Sequence, residues 1–125
     1  MQQKKIVLID DEKLIRITTS MLLKHNGFEV ITAANGKEGL AAINEQVPDI
    51  VLLDIMMPEM NGWDVLRLLR KDERTSSLFV IIFTACDLPL PDDISNNEKN
   101  IAILKKPFQL QQLLNIISKK EPARG

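Results

Sequence analysis

The chain is poor in several things at once. It has one cysteine, Cys86, one histidine, His25, and no tyrosine among 125 residues. A single cysteine excludes an internal disulfide and any four-cysteine zinc site, and it suits a reducing compartment. One histidine excludes a His-to-His relay within the chain. Five glycines are too few and too scattered for a glycine-rich phosphate loop, which argues against a mononucleotide-binding turn. Charge of one sign is not in excess either, with 16 Lys plus Arg against 17 Asp plus Glu. A free-standing nucleic-acid binder normally carries a basic footprint, so that class falls away. No apolar run nears the roughly 18 residues that cross a bilayer. The weakly basic start, Met1 to Lys5, leads only into Ile6–Ile9 before Asp10-Asp11-Glu12 ends the run, too short for a secretory signal. A cytoplasmic, non-membrane protein is expected.

What is present is ordinary globular composition, 45% hydrophobic and 26% charged, in a length that suits one domain at about 150 residues each. Short apolar runs recur at Ile6–Ile9, Val30–Thr32, Ile50–Leu53, Phe79–Phe83 and Ile101–Leu104. They are rich in Val and Ile and do not alternate with polar residues, as strands buried on both faces do in parallel sheets. Helical spacing fills the gaps. Leu14, Thr18, Met21 and Leu22 share one face, as do Leu40, Ile43 and Val47, then Val65, Leu66 and Leu69. Leu110, Leu113, Leu114 and Ile117 follow the last run. Between Asp87 and Asn100, Pro89, Pro91 and Asn96-Asn97 leave room only for a short helix over Pro91–Asn97. Five strand–helix repeats make a three-layer α/β domain. Residues 1–120 are expected to form it, with 121–125 a disordered tail or the start of a linker.

In open parallel sheets ligands bind at the carboxyl ends of the strands. The runs here end at Asp10-Asp11-Glu12, Asp54, Thr84 and Lys105-Lys106-Pro107. Asp54 stands out, because Leu53 precedes it and Ile55-Met56-Met57 follow. A carboxylate in such a setting is costly unless it is paired or binds a cation. Clustered carboxylates recruit magnesium, and a hydroxyl with an ammonium suits a phosphoryl group. Together they describe a site for phosphoryl transfer by charge neutralisation and in-line positioning.

Asp10-Asp11, then Asp54 with Met57-Pro58-Glu59-Met60-Asn61-Gly62, then Thr84-Ala85, then Lys106-Pro107-Phe108 resemble the receiver domain of two-component response regulators. The likeness runs from about Lys5 to Ile117. It implies a doubly wound, flavodoxin-like five-stranded parallel sheet in the order 2-1-3-4-5. It implies that Asp54 is the phosphoacceptor. Magnesium would be held by Asp10, Asp11, Asp54 and the Met56 carbonyl. Thr84, Ala85 and Lys106 would meet the phosphoryl group, with a cis bond before Pro107. A histidine kinase or phosphotransfer protein would be the donor. An output domain or effector protein would be the target, with a phosphorylation-dependent dimer as a further partner. The chain would catalyse only its own phosphorylation and dephosphorylation.

Where the family commonly has an aromatic, three residues before the lysine, this chain has Ile103, so output is expected to run through the 87–100 segment. Family members tune loss of the phosphoryl group at the positions held here by Met56 and Cys86. Neither orients water well, so slow dephosphorylation is expected.

Rival readings fit less well. A small phosphatase would want a second Asp where Met56 stands, and a flavodoxin-like cofactor binder would not put Asp10-Asp11-Glu12 against a phosphate. A degenerate receiver serving as a docking module is the alternative. His25 reads as a solvated helix end, Cys86 as a small packed hydrophobe, Trp63 as surface packing and Lys119-Lys120 as a solvated terminus.

Overall fold

A computed structural model describes residues 3–85, 90–95 and 100–120. Cys86, the end of the expected fourth helix and the 121–125 tail lie outside the described residues. The elements alternate: β1 (Lys5–Ile9), α1 (Lys13–His25), β2 (Glu29–Ala33), α2 (Gly36–Gln46), β3 (Ile50–Asp54), α3 (Gly62–Lys71), β4 (Phe79–Thr84), α4 (Asp92–Ser95), β5 (Ile101–Lys105) and α5 (Leu110–Lys120). All strand pairs are parallel, and the sheet order is β2-β1-β3-β4-β5, as expected. No helix among the described residues is long and apolar enough to cross a membrane.

Alternate strand residues feed two separate cores. Val7, Ile9, Val51, Leu53, Val80 and Ile82 pack with α2, α3 and α4. Ile6, Leu8, Leu52, Ile81, Phe83 and Leu104 pack with α1 and α5. The continuous apolar runs are thereby explained for β1, β3 and β4, which are covered on both faces. The edge strands differ. β2 exposes Glu29 and Thr32, and β5 exposes Ile103 and Lys105, because an edge has a neighbour on one side only.

The first helix corrects the sequence expectation. Leu14, Met21 and Leu22 do share a face, but it is the outer one, 73%, 64% and 47% exposed. Thr18 is exposed beside them. Thr19, Ser20 and Leu23 are buried instead, with Ile15 partly covered. Thr19 and Ser20 are short, so they let the helix approach the sheet closely, and the periodicity of the larger side chains points outward. In α2, Ile43 is buried and Leu40 half-buried, whereas Val47 is exposed at a left-handed C-cap.

Two features seat α3 against the strand that ends in Asp54. Asn61 accepts from the Asp64 N–H at 3.0 Å while Asp64 accepts from the Asn61 N–H at 3.3 Å, a reciprocal cap. Gly62 supplies the clearance, since a Cβ there would lie 2.5 Å from the Asp54 carbonyl oxygen.

Candidate functional site

The polar residues that end the apolar runs meet at the carboxyl edge of the sheet. Asp10 directly follows β1, Asp54 and Thr84 close β3 and β4, and Lys106 directly follows β5. Asp10, Asp54 and Thr84 are all buried. Their close placement follows from register: Asp54 lies opposite Phe83, and Thr84 opposite Lys105.

Lys106 is the hub. Its Nζ lies 3.2 Å from Asp10 Oδ2, 3.5 Å from Asp54 Oδ1 and 3.5 Å from Glu12 Oε1. The Nζ sits over the Phe83 ring, 4.8 Å from its centroid, and Phe108 packs edge-on to that ring at 6.0 Å. The Lys106 N–H donates to the Thr84 carbonyl at 2.8 Å, and the Lys106–Pro107 bond is cis. Burial opposes the ammonium, yet the carboxylates of Asp54, Asp10 and Glu12 outweigh it and hold Lys106 above its ordinary range.

The carboxylates are less comfortable. Burial first, and then the charge of Asp10, push Asp54 up to about 7, with Lys106 pulling the other way. The Asp54 carboxylate accepts the Met56 N–H at 3.3 Å. Asp10 Oδ1 accepts the Glu12 N–H at 2.8 Å. Asp11 is exposed at the mouth of the site. Asp10, Asp11 and Asp54 each offer an oxygen within 4.8 Å of the others. Three carboxylates converging on one point, two of them buried with a single ammonium between them, form a donor set that fits a hard divalent cation such as magnesium.

Thr84 and Ala85 sit beside this cluster at the end of β4, Thr84 buried and Ala85 exposed. Met56 is 58% exposed. Trp63 is half-buried against the core on the α2–α3 face, and His25 ends α1 exposed, as expected. An apolar groove of about 430 Å³ opens next to the site, between α1 and the segment after Lys106, and Ile15, Leu22, Phe108 and Leu110 help to line it.

Sequence reasoning did not assign Glu12 a part, although the position carried a signal. It closes the acidic run Asp10-Asp11-Glu12 that ends the first apolar stretch. Two arginines were also missed. Arg67 joins α3 to α4 through Asp93 at 2.8 Å. Arg70 donates to the carbonyls of Leu78 at 2.9 Å and Asn100 at 3.2 Å.

Residues 6–118 match the family model described as the response regulator receiver domain. The chain is similar to Protein PilH of Pseudomonas aeruginosa, 33% identical over 114 residues that make up 91% of this chain and 94% of that protein. Protein PilG of the same organism is 34% identical over 119 residues, 95% of this chain and 88% of that protein. The probable transcriptional regulatory protein TcrX of Mycobacterium tuberculosis is 33% identical, and there the match spans only 47% of the relative. Among solved structures, chemotaxis protein CheY4 of Vibrio cholerae superposes with a TM-score of 0.85 at 27% identity, covering 94% of this chain and 98% of that one. The N-terminal domain of a response regulator receiver protein from Methanoculleus marisnigri gives 0.74 at 34% identity, covering 98% and 100%. Sheet order, clustered carboxylates and a match along nearly the whole length agree, and the chain belongs to the response regulator receiver domain family.

Proposed function

We propose that this receiver works in two-component signalling by accepting a phosphoryl group on Asp54. The observation that carries the reading is a buried carboxylate at a strand end, facing an ammonium at 3.5 Å and two further acids. An ionised Asp54 oxygen attacks phosphorus, and its new P–O bond forms as the donor's bond breaks. With a phosphohistidine donor the P–N electron pair leaves on the imidazole, which takes a proton from solvent. The product is an acyl phosphate on Asp54. Asp10, Asp11 and Asp54, with the Met56 carbonyl, would hold magnesium, which supplies neutralisation of the gathering negative charge. Lys106 pairs with a phosphoryl oxygen, Thr84 donates its hydroxyl to another, and Ala85 leaves the group room. Residues 1–120 act as the receiver unit, and a histidine kinase or phosphotransfer protein serves as donor. An output domain, an effector or a second phosphorylated copy reads the result. Met56 offers no group to orient an attacking water, so the acyl phosphate is long-lived; Met56→Asn should shorten its half-life.

The test is incubation with acetyl phosphate and magnesium, read by intact mass. A gain of one phosphoryl group that needs magnesium and vanishes in Asp54→Ala is expected. No gain in folded wild-type protein would overturn this reading in favour of a docking module that works without phosphorylation.

A further inference from the structure

We infer that Glu12 is a positioning residue for Lys106, holding the ammonium at the cleft mouth when Asp10 and Asp54 turn to a metal; this rests on the reading above. Glu12 stands outside the converging carboxylates Asp10, Asp11 and Asp54. Its Oε1 nevertheless lies 3.5 Å from Lys106 Nζ. The Glu12 backbone is pinned by its N–H bond to Asp10 Oδ1, which leaves Asp10 Oδ2 as the oxygen that Lys106 holds. Glu12 is the N-cap of α1 and spends no side-chain hydrogen bond on the helix N–H groups. Its side chain is turned toward the cleft instead.

The need follows from charge. Lys106 and a divalent cation claim the same two buried carboxylates, and they repel each other. Lys106 is only 11% exposed at its side chain, so an ammonium expelled with no partner would be poorly solvated. Glu12 is 60% exposed and can swing with it. The ammonium thus keeps one ion pair throughout and stays within reach of an incoming phosphoryl oxygen. Without Glu12, Lys106 falls back on Asp10 and Asp54 and competes with the metal.

Magnesium binding can be followed by backbone amide shifts with no phosphoryl donor present, in wild type, Glu12→Gln, Lys106→Met and the double variant. Titrations at about 0.5 M potassium chloride reduce the screening length to a few ångströms and suppress the general field of an exposed carboxylate. With Lys106 in place, Glu12→Gln should raise the magnesium dissociation constant about three-fold, in keeping with a partly exposed pair. In the Lys106→Met background, which offers no ammonium to hold, the same change should leave it unmoved. In metal-free Glu12→Gln the ε-methylene resonances of Lys106 should also move, which needs no second variant. Equal effects in both backgrounds, or unmoved Lys106 resonances, would overturn the inference. Phosphorylation that depends on Asp54 but magnesium binding indifferent to Glu12 would overturn it and leave Asp54's role standing. Wild-type protein that binds no magnesium would overturn both.

Discussion

The two ends of the sheet each set a lysine beside acid, one carboxylate at the amino end and three at the carboxyl end, with opposite consequences. At the amino end, Lys5 Nζ lies 3.9 Å from Glu29 and 3.1 Å from Gln46 Oε1, with the two charged side chains 27% and 49% exposed. At the carboxyl end, Lys106 lies 3.2 Å from Asp10 and 3.5 Å from Asp54, whose side chains are 0% and 3% exposed. Water screens the first set, so it contributes little to stability. The second set is desolvated and short of positive charge, one buried ammonium against two buried acids. The excess negative charge favours uptake of a proton by Asp54 or of a further cation. Burial together with the excess of acids turns an ion pair into a site poised for chemistry.

Removing the ammonium should separate the two ends most sharply. Lys106→Met leaves Asp10 and Asp54 facing each other, and it should cost about 3 kcal/mol at pH 8 without metal, by urea unfolding. At pH 5 the loss should be smaller, because Asp54 is then protonated with or without Lys106 and only the buried Asp10 is left without its ammonium. A loss equal at both pH values would mean that Lys106 acts chiefly through its contact with the Phe83 ring and not through Asp54.

The opposite change should stabilise. Asp54 is raised from the ordinary 3.8 to about 7, so between these values the folded protein binds more protons than the unfolded chain and loses stability as pH rises. Asp54→Asn removes that liability while keeping the shape. Part of the gain is offset by the lost Lys106 contact, which leaves about 2 kcal/mol at pH 8 in metal-free protein. The gain should be absent near pH 4, grow through about 7 and level off above it, which denaturation midpoints across pH would display. At the amino end the matching change should do least. Lys5→Met should shift stability by under about 0.5 kcal/mol, at any pH between about 5 and 8.

Most of the site could be read from the sequence because it lies at strand ends. A strand of a parallel sheet leaves a continuous apolar run, and the first polar residues after it mark the carboxyl edge, as Asp10, Asp54 and the Lys105-Lys106 pair do. Asp54 was conspicuous because its neighbours Leu53 and Ile55 are buried with it. Helix orientation was harder to read. The stripe through Leu14 and Met21 has helical spacing, and spacing alone does not say which face the sheet covers when small polar residues such as Thr19 and Ser20 can be buried. Contacts between distant segments left no local trace either. The Arg67–Asp93 pair and the Glu12–Lys106 pair join residues far apart in sequence, and only the fold brings them together.

The most direct test of the account is to find where the phosphoryl group goes. Protein treated with acetyl phosphate and magnesium is reduced with borohydride, which converts an aspartyl phosphate to homoserine, and then mapped by peptide mass spectrometry. Homoserine at position 54 alone is the expected result. Homoserine at position 10 or 11, or at none, with the fold intact, would contradict the assignment of the buried Asp54 carboxylate as the phosphoacceptor.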